Sequence, residues 1–284
     1  MKIFIGKCLV LFLLLWSGFA LAADGDKFVF LSSTIGPIDS GIVGALEDQF
    51  EKETGIRIRH VGAGTGAALK MAEKGQIDLV LAHAKSLEEK FIAGGFGTER
   101  ISLMYNDFVI VGPESDPAAI KGQKSATEAL KMIMNKTVKF ISRGDKSGTH
   151  VAEMELWQKA GVKPQGAWYV IYEKGSEGNV PTLKYADQQS AYTVMDRATY
   201  LSLRDQIKLI ILVEGDVALL NFMSLIPVNP AKFPKVNHKD TMTFVKWATS
   251  PERGQLIIRD FGKDKYGAAL FFPNSLEWQK AQKK

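Results

Sequence analysis

The feature that most constrains this chain is a unit repeated near its start: a short apolar run, a small polar turn, then a helical pattern. Phe28-Val29-Phe30-Leu31 leads into Ser32-Ser33-Thr34-Ile35-Gly36-Pro37. A helix follows, with Ile42, Val43, Leu46 and Phe50 on one face and Gly55 as its stop. Residues 56–61 form a second run, Gly62-Ala63-Gly64-Thr65-Gly66 a second turn, and 67–74 a second helix. Residues 78–82 form a third run before a helix carrying Leu87 and Phe91, for which Ser86 and Glu89 make a capping box. Unbroken apolar runs this short are strands covered on both faces, and strands alternating with helices build mainly parallel α/β sheets.

The pattern continues with less regularity. Residues 107–111 are another strand, closed by Gly112-Pro113, and Ser125 with Glu128 caps a helix. Val138-Lys139-Phe140-Ile141 runs into Ser142-Arg143-Gly144-Asp145-Lys146-Ser147-Gly148-Thr149-His150, and a helix extends to Ala160 before Gly161. Further strands are expected at 168–172, 191–195 and 209–213, with a return strand at 221–228. The tail is helical: Met242, Val245 and Thr249 share a face, and Ser250-Pro251 restarts a helix. A chain of 284 residues favours two domains, yet no long linker divides it. The expectation is therefore two lobes joined by crossing strands, outward near 101–111 and back near 221–228. Lobe 1 takes 23–105 and 226–284, and lobe 2 takes 106–225.

Composition narrows function by exclusion. Apolar residues make up 46% and charged residues 24%, which excludes disorder and coiled coil. Lys and Arg number 36 against 31 acidic residues, spread without the concentrated block of a nucleic-acid binder. Residues 1–22 read as a cleaved secretory signal, with Lys2 and Lys7, an apolar stretch over 8–19, and Ala20-Leu21-Ala22 before the cut. That stretch falls short of the roughly 20 residues a membrane span needs. The single cysteine, Cys8, lies inside it, so the exported chain carries no disulfide, no catalytic thiol and no cysteine zinc site. Export points to a periplasm or the cell exterior. His60, His83, His150 and His238 show no metal-ligand spacing, and no cation or cofactor site is read from them. The glycines of the second turn lack dinucleotide-binding spacing, and neither a Walker loop nor a G-x-S-x-G elbow is present.

Three turns share one chemical plan. Ser33-Thr34, Thr65 and Ser147-Gly148-Thr149 each follow a strand and open a helix. A helix start offers unpaired N–H groups and partial positive charge, glycine lets an anion approach, and hydroxyls add donors. Each turn alone could be mere helix capping; together, with Arg143 four residues before Ser147, they point to an oxyanion site. Gly64, Asp196 and Arg197 are further candidates, and Asp196-Arg197 could equally pair internally. A Ser147–His150 pair would be a weak nucleophile without an orienting acid, so an exported hydrolase ranks low.

At these residues the chain resembles the tungstate-binding periplasmic proteins that feed ABC importers. The match rests on the nine-residue stretch 142–150, on Asn106-Asp107-Phe108-Val109-Ile110-Val111-Gly112-Pro113, on Tyr192-Thr193 with Asp196-Arg197, on Gly64-Thr65-Gly66 and on Val213-Glu214-Gly215-Asp216. The resemblance implies a two-lobed, type II-like periplasmic-binding-protein fold and a monomer that hands its anion to a membrane permease. It also implies a tetrahedral oxyanion ligand, tungstate before molybdate, and no enzymatic activity. Arg143, Ser147, Gly148 and Thr149 would grip the anion from the second lobe, and Thr65 from the first. The family's first turn reads Thr-Thr-Thr-Ser where this chain has Ser33-Thr34-Ile35-Gly36. The family's glycine-rich turn is altered here to Gly175-Ser176-Glu177-Gly178. The same scaffold could instead hold phosphate or serve as a ligand-sensing module.

Overall fold

The computed structural model describes residues 28–283, so the secretory signal read at 1–22 lies outside the described residues. Strand β1 (Phe28–Ser33) is followed by the short helix α1 (Ile35–Asp39) and by α2 (Ile42–Thr54). Gly55 ends α2 in the left-handed conformation, and its N–H bonds to the Glu51 carbonyl, as the sequence stop required. Next come β2 (Arg57–Gly62), α3 (Thr65–Ala72), β3 (Leu79–Ala82) and α4 (Lys85–Ala93). The long strand β4 (Ile101–Gly112) leads to α5 (Ala126–Asn135), β5 (Phe140–Ser142), α6 (Gly148–Lys159) and β6 (Tyr169–Ile171). Then follow α7 (Asn179–Gln188), β7 (Thr193–Asp196), α8 (Arg197–Leu203), β8 (Ile210–Val213) and β9 (Leu220–Pro227). The chain closes with α9 (His238–Thr249), α10 (Gly254–Asp260), α11 (Lys263–Tyr266), β10 (Phe272–Pro273) and α12 (Leu276–Ala281).

The sheet is mixed, which corrects the mainly parallel expectation. β1 pairs in parallel with β2 and β3, but β9 runs antiparallel to β3 and β4, and β10 antiparallel to β4. The cause is connectivity: β4 leaves the first half and β9 returns to it, so they lie head to tail. The outer part of β4 pairs antiparallel with β7 and β8, while β5 and β6 pair in parallel. Alternate residues of β4 serve opposite faces. Phe108 and Ile110 pack with Leu130, Phe140 and Trp157, whereas Val109 and Val111 pack with Ile141, Leu183 and Met195. In the first half, Val29, Leu31, Phe50, Phe244 and Trp247 form a core that Met223 and Leu225 of β9 join. Ala68, Leu69, Val80, Phe91 and Ile226 cover the other face.

Two helix starts depart from the sequence reading. Ser86 lies inside α4, which begins at Lys85 after an uncapped Ala84, so no capping box forms. Ser250 ends α9, and α10 begins only at Gly254, where an added Cβ would stand 2.5 Å from Ala248 Cα. The two helices cross backbone to backbone there, which delays the restart. Ser125 caps α5 as expected, its Oγ accepting from the Glu128 N–H at 3.3 Å.

Candidate functional site

The first turn grows from the end of β1. Ser33 Oγ donates to the Thr34 carbonyl at 3.0 Å, and Thr34 N–H donates to the Leu81 carbonyl of β3 at 3.2 Å. Thr34 occupies the N-cap position of α1 without capping it, and its hydroxyl is buried with no hydrogen-bond partner. A buried hydroxyl left unpaired costs about 1–3 kcal/mol, so it marks a place where a partner belongs. Gly36 is exposed in the first turn of α1, with open space where a side chain would stand.

The second turn is tied to the first. Ala63 N–H donates to the Ser33 carbonyl at 2.9 Å, and a Cβ on Gly62 would meet Ile35 Cδ1 at 2.9 Å. Gly64 is the extended N-cap of α3 and Thr65 its first helical residue, two positions earlier than the sequence reading placed the helix. Gly64 and Gly66 face open space.

The third turn is the most strongly built. Ser147 caps α6, its Oγ accepting from His150 N–H at 3.4 Å, and its side chain also serves the Asp145 carboxyl. Gly148 and Thr149 follow as the first two helical residues, whose N–H groups have no carbonyl to meet within the helix. Asp145 Oδ1 accepts from Ser147 N–H at 3.1 Å. Burial acts to raise the Asp145 pKa, but the Ser147 hydrogen bonds and the Arg143 charge outweigh it and hold the carboxyl below its ordinary value. His150 spends Nδ1 on the Lys146 N–H at 2.9 Å.

Arg143 emerges from β5 and is held on three sides. Its Nε donates to the Gly175 carbonyl at 3.2 Å, one Nη to Asp145 Oδ2 at 2.6 Å, and the other Nη to Asn179 Oδ1. The pairing with Asp145 that the sequence left open is thus made. Of five guanidinium hydrogens, two remain, one on each Nη. The altered turn explains its own glycine: a Cβ at Gly175 would stand 1.9 Å from the Arg143 carbonyl oxygen.

Asp196 and Arg197 are engaged within the fold. Asp196 Oδ1 accepts from Thr199 N–H at 2.8 Å, and Oδ2 accepts from Asn179 Nδ2 at 2.6 Å and Thr199 Oγ1 at 2.7 Å. Arg197 grips both oxygens of Asp107 and reaches Glu214 at 2.7 Å. Both residues are thus bonded within the fold. Asn179 and His83 were missed as site neighbours. Asn179 links Arg143 to Asp196, and His83, directly after β3, touches the start of α6 at Gly148. Only the position of His83 after a buried apolar run hinted at it.

Among the described residues no group of three or more His, Cys, Asp or Glu is placed to hold a metal ion, and no helix is long and apolar enough to cross a membrane.

Comparison with known proteins gives the family of the chain. The family described as PBP superfamily domain matches residues 22–252. The tungstate-binding protein TupA of Peptoclostridium acidaminophilum is 45% identical over 249 residues, spanning 87% of this chain and 86% of that protein. A putative ABC transporter anion-binding protein of Haloferax volcanii is 41% identical, over 92% of this chain and 76% of its own length. The solved structure of the tungstate-binding protein TupA from Desulfovibrio alaskensis superposes with a TM-score of 0.80 at 42% identity, covering 88% of this chain and 99% of that one. The fold has the α/β periplasmic-binding-protein architecture, and the chain belongs to the PBP superfamily alongside these relatives.

Proposed function

We propose that this protein is a periplasmic solute-binding protein that captures a tetrahedral oxyanion, tungstate first and molybdate second, and delivers it to an ABC permease. The observation that carries the reading is the buried, unpartnered Thr34 hydroxyl at a turn hydrogen-bonded to the second turn through Ser33 and Ala63. Ser33, Thr34, Gly36, Gly64 and Thr65 line one side, and Arg143, Ser147, Gly148 and Thr149 the other. The grip comes from hydroxyls, helix-start N–H groups and the two spare Arg143 hydrogens. Preorganised neutral donors in a dry cleft stabilise a dianion without needing an equal number of cations. Asp196 and Arg197 act behind this layer, through Asn179 and Asp107.

The two lobes are 23–105 with 226–284, and 106–225, hinged where β4 and β9 cross. The protein acts as a monomer without a cofactor, and its role is carriage rather than catalysis. Calorimetry and thermal unfolding with tungstate, molybdate, sulfate and phosphate test the reading. A ligand at 100 times its Kd stabilises by about 2.7 kcal/mol. Absence of heat and of any shift with all four anions refutes it.

A further inference from the structure

His83 belongs to none of the three turns, yet its ring meets the start of α6. A Cβ added to Gly148 would stand 3.0 Å from His83 Cε1 and 3.3 Å from Nε2. Contacts that tight require the neighbour to give by a few tenths of an ångström. This imidazole is poorly placed to give. It is hydrogen-bonded to the Asn221 side chain, and burial lowers its pKa with no charged side chain contributing. Asn221 Nδ2 in turn donates to Asn106 Oδ1 at 2.8 Å. Asn106 lies on β4 and Asn221 on β9, the two strands that cross between the halves.

Gly148 has no backbone need to be glycine. It is absent from the left-handed positions, and the first turn of a helix accepts alanine readily. The atoms within 4 Å of an added Cβ are those of His83.

We infer that His83 is a positioning residue for closure of the cleft: its ring, fixed by Asn221, is the stop against which the α6 start rests. Gly148 is then the notch that lets the α6 amides come close enough to reach an anion. The inference rests on the proposed anion-binding reading for what the cleft encloses.

The test is a double-mutant cycle of Gly148→Ala, His83→Ala and the pair, read by tungstate calorimetry, unfolding midpoints and small-angle scattering of the ligand-free chain. Alanine keeps the N–H at position 148, so only the methyl is new. Overpacking against the ring is expected to weaken tungstate binding about tenfold in the parent and to add almost nothing once His83 is alanine. Unfolding midpoints stay together across the four proteins. Equal weakening in both backgrounds means the methyl strikes the anion itself, and overturns the inference, as does no weakening in either. If the parent binds none of the four anions, the proposed function fails and scattering decides alone. A larger radius of gyration in Gly148→Ala, reversed by His83→Ala, supports the stop, and identical profiles overturn it.

Discussion

Glu153 supplies the sharpest quantitative prediction. It sits in α6, one and a half turns behind the proposed anion site, and is buried. Burial raises its pKa from the ordinary 4.5 to about 7, against the opposing hydrogen bonds from Ser142, Tyr169 and Trp157. Those donors reach it at 2.7, 2.7 and 3.1 Å. The folded protein therefore keeps this proton to higher pH than the unfolded chain does. Stability is full below pH 4.5, falls as pH rises from 4.5 to about 7, and is level above that. At 1.36 kcal/mol for each pKa unit, the loss across the window is at most about 3 kcal/mol. The depressed pKa values of His83 and His150 act in the opposite sense, costing stability as pH falls. Comparison with Glu153→Gln removes their contribution, because both proteins carry both histidines. Urea unfolding of the two proteins between pH 4.5 and 8 measures the difference. The parent is expected to lose stability relative to the variant as pH rises, with the change centred between 5 and 7. Parallel curves would show that the three donors fully compensate for burial, and would refute the reasoning.

Two further substitutions probe the Arg143 mount. Arg143→Lys keeps the charge but cannot bond Gly175, Asp145 and Asn179 together, and is expected to weaken oxyanion binding by about tenfold or more by calorimetry. Unchanged affinity would remove the fork geometry from the site. Gly175→Ala drives a methyl into the Arg143 carbonyl and is expected to cost about 1–3 kcal/mol in urea unfolding, with weaker binding alongside. A stable variant with intact affinity would show that the turn yields without moving Arg143.

Much of the fold was legible because local and global signals agree. The α2 face of Ile42, Val43, Leu46 and Phe50 is buried as its spacing demands, and Gly55 stops the helix in a conformation glycine adopts freely. The outer part of β4 was readable from Asp107–Val111 because unbroken apolar runs belong to strands covered on both sides. The strand directions were not, since an apolar run carries no mark of which strands it pairs with or in which sense. Helix starts failed where tertiary packing decides: Gly254 is set by the crossing over Ala248, which no local pattern carries. The three turns were visible as strand–hydroxyl–helix junctions. The partners that position them, Asn179, Gly175 and His83, come from other segments, and single residues of ordinary type leave no spacing to read.

The carboxylates around the site bear on which anion it prefers. A fully deprotonated tetrahedral anion asks only for donors, whereas hydrogen phosphate also needs an acceptor for its proton. Asp145 lies two residues before Ser147 and Asp196 reaches Asn179, a partner of Arg143, and either could have supplied that acceptor. Both already hold protein donors. The two oxygens of Asp145 take the Arg143 guanidinium and the Ser147 amide, and those of Asp196 take Thr199 and Asn179. Asp107 is likewise clamped by Arg197. Negative charge near the site thus orients protein donors, and Asp145, held ionised by those same donors, could take a phosphate proton only on lone pairs turned to the cleft. On the proposed reading, discrimination against a protonated anion follows from locked carboxylates as much as from the donors that face the cleft. Competition between tungstate and phosphate across the pH range where phosphate loses its second proton separates this from simple size selection. Size selection leaves the preference constant, whereas the acceptor argument narrows it with rising pH, because phosphate then carries one proton in need of a partner in place of two.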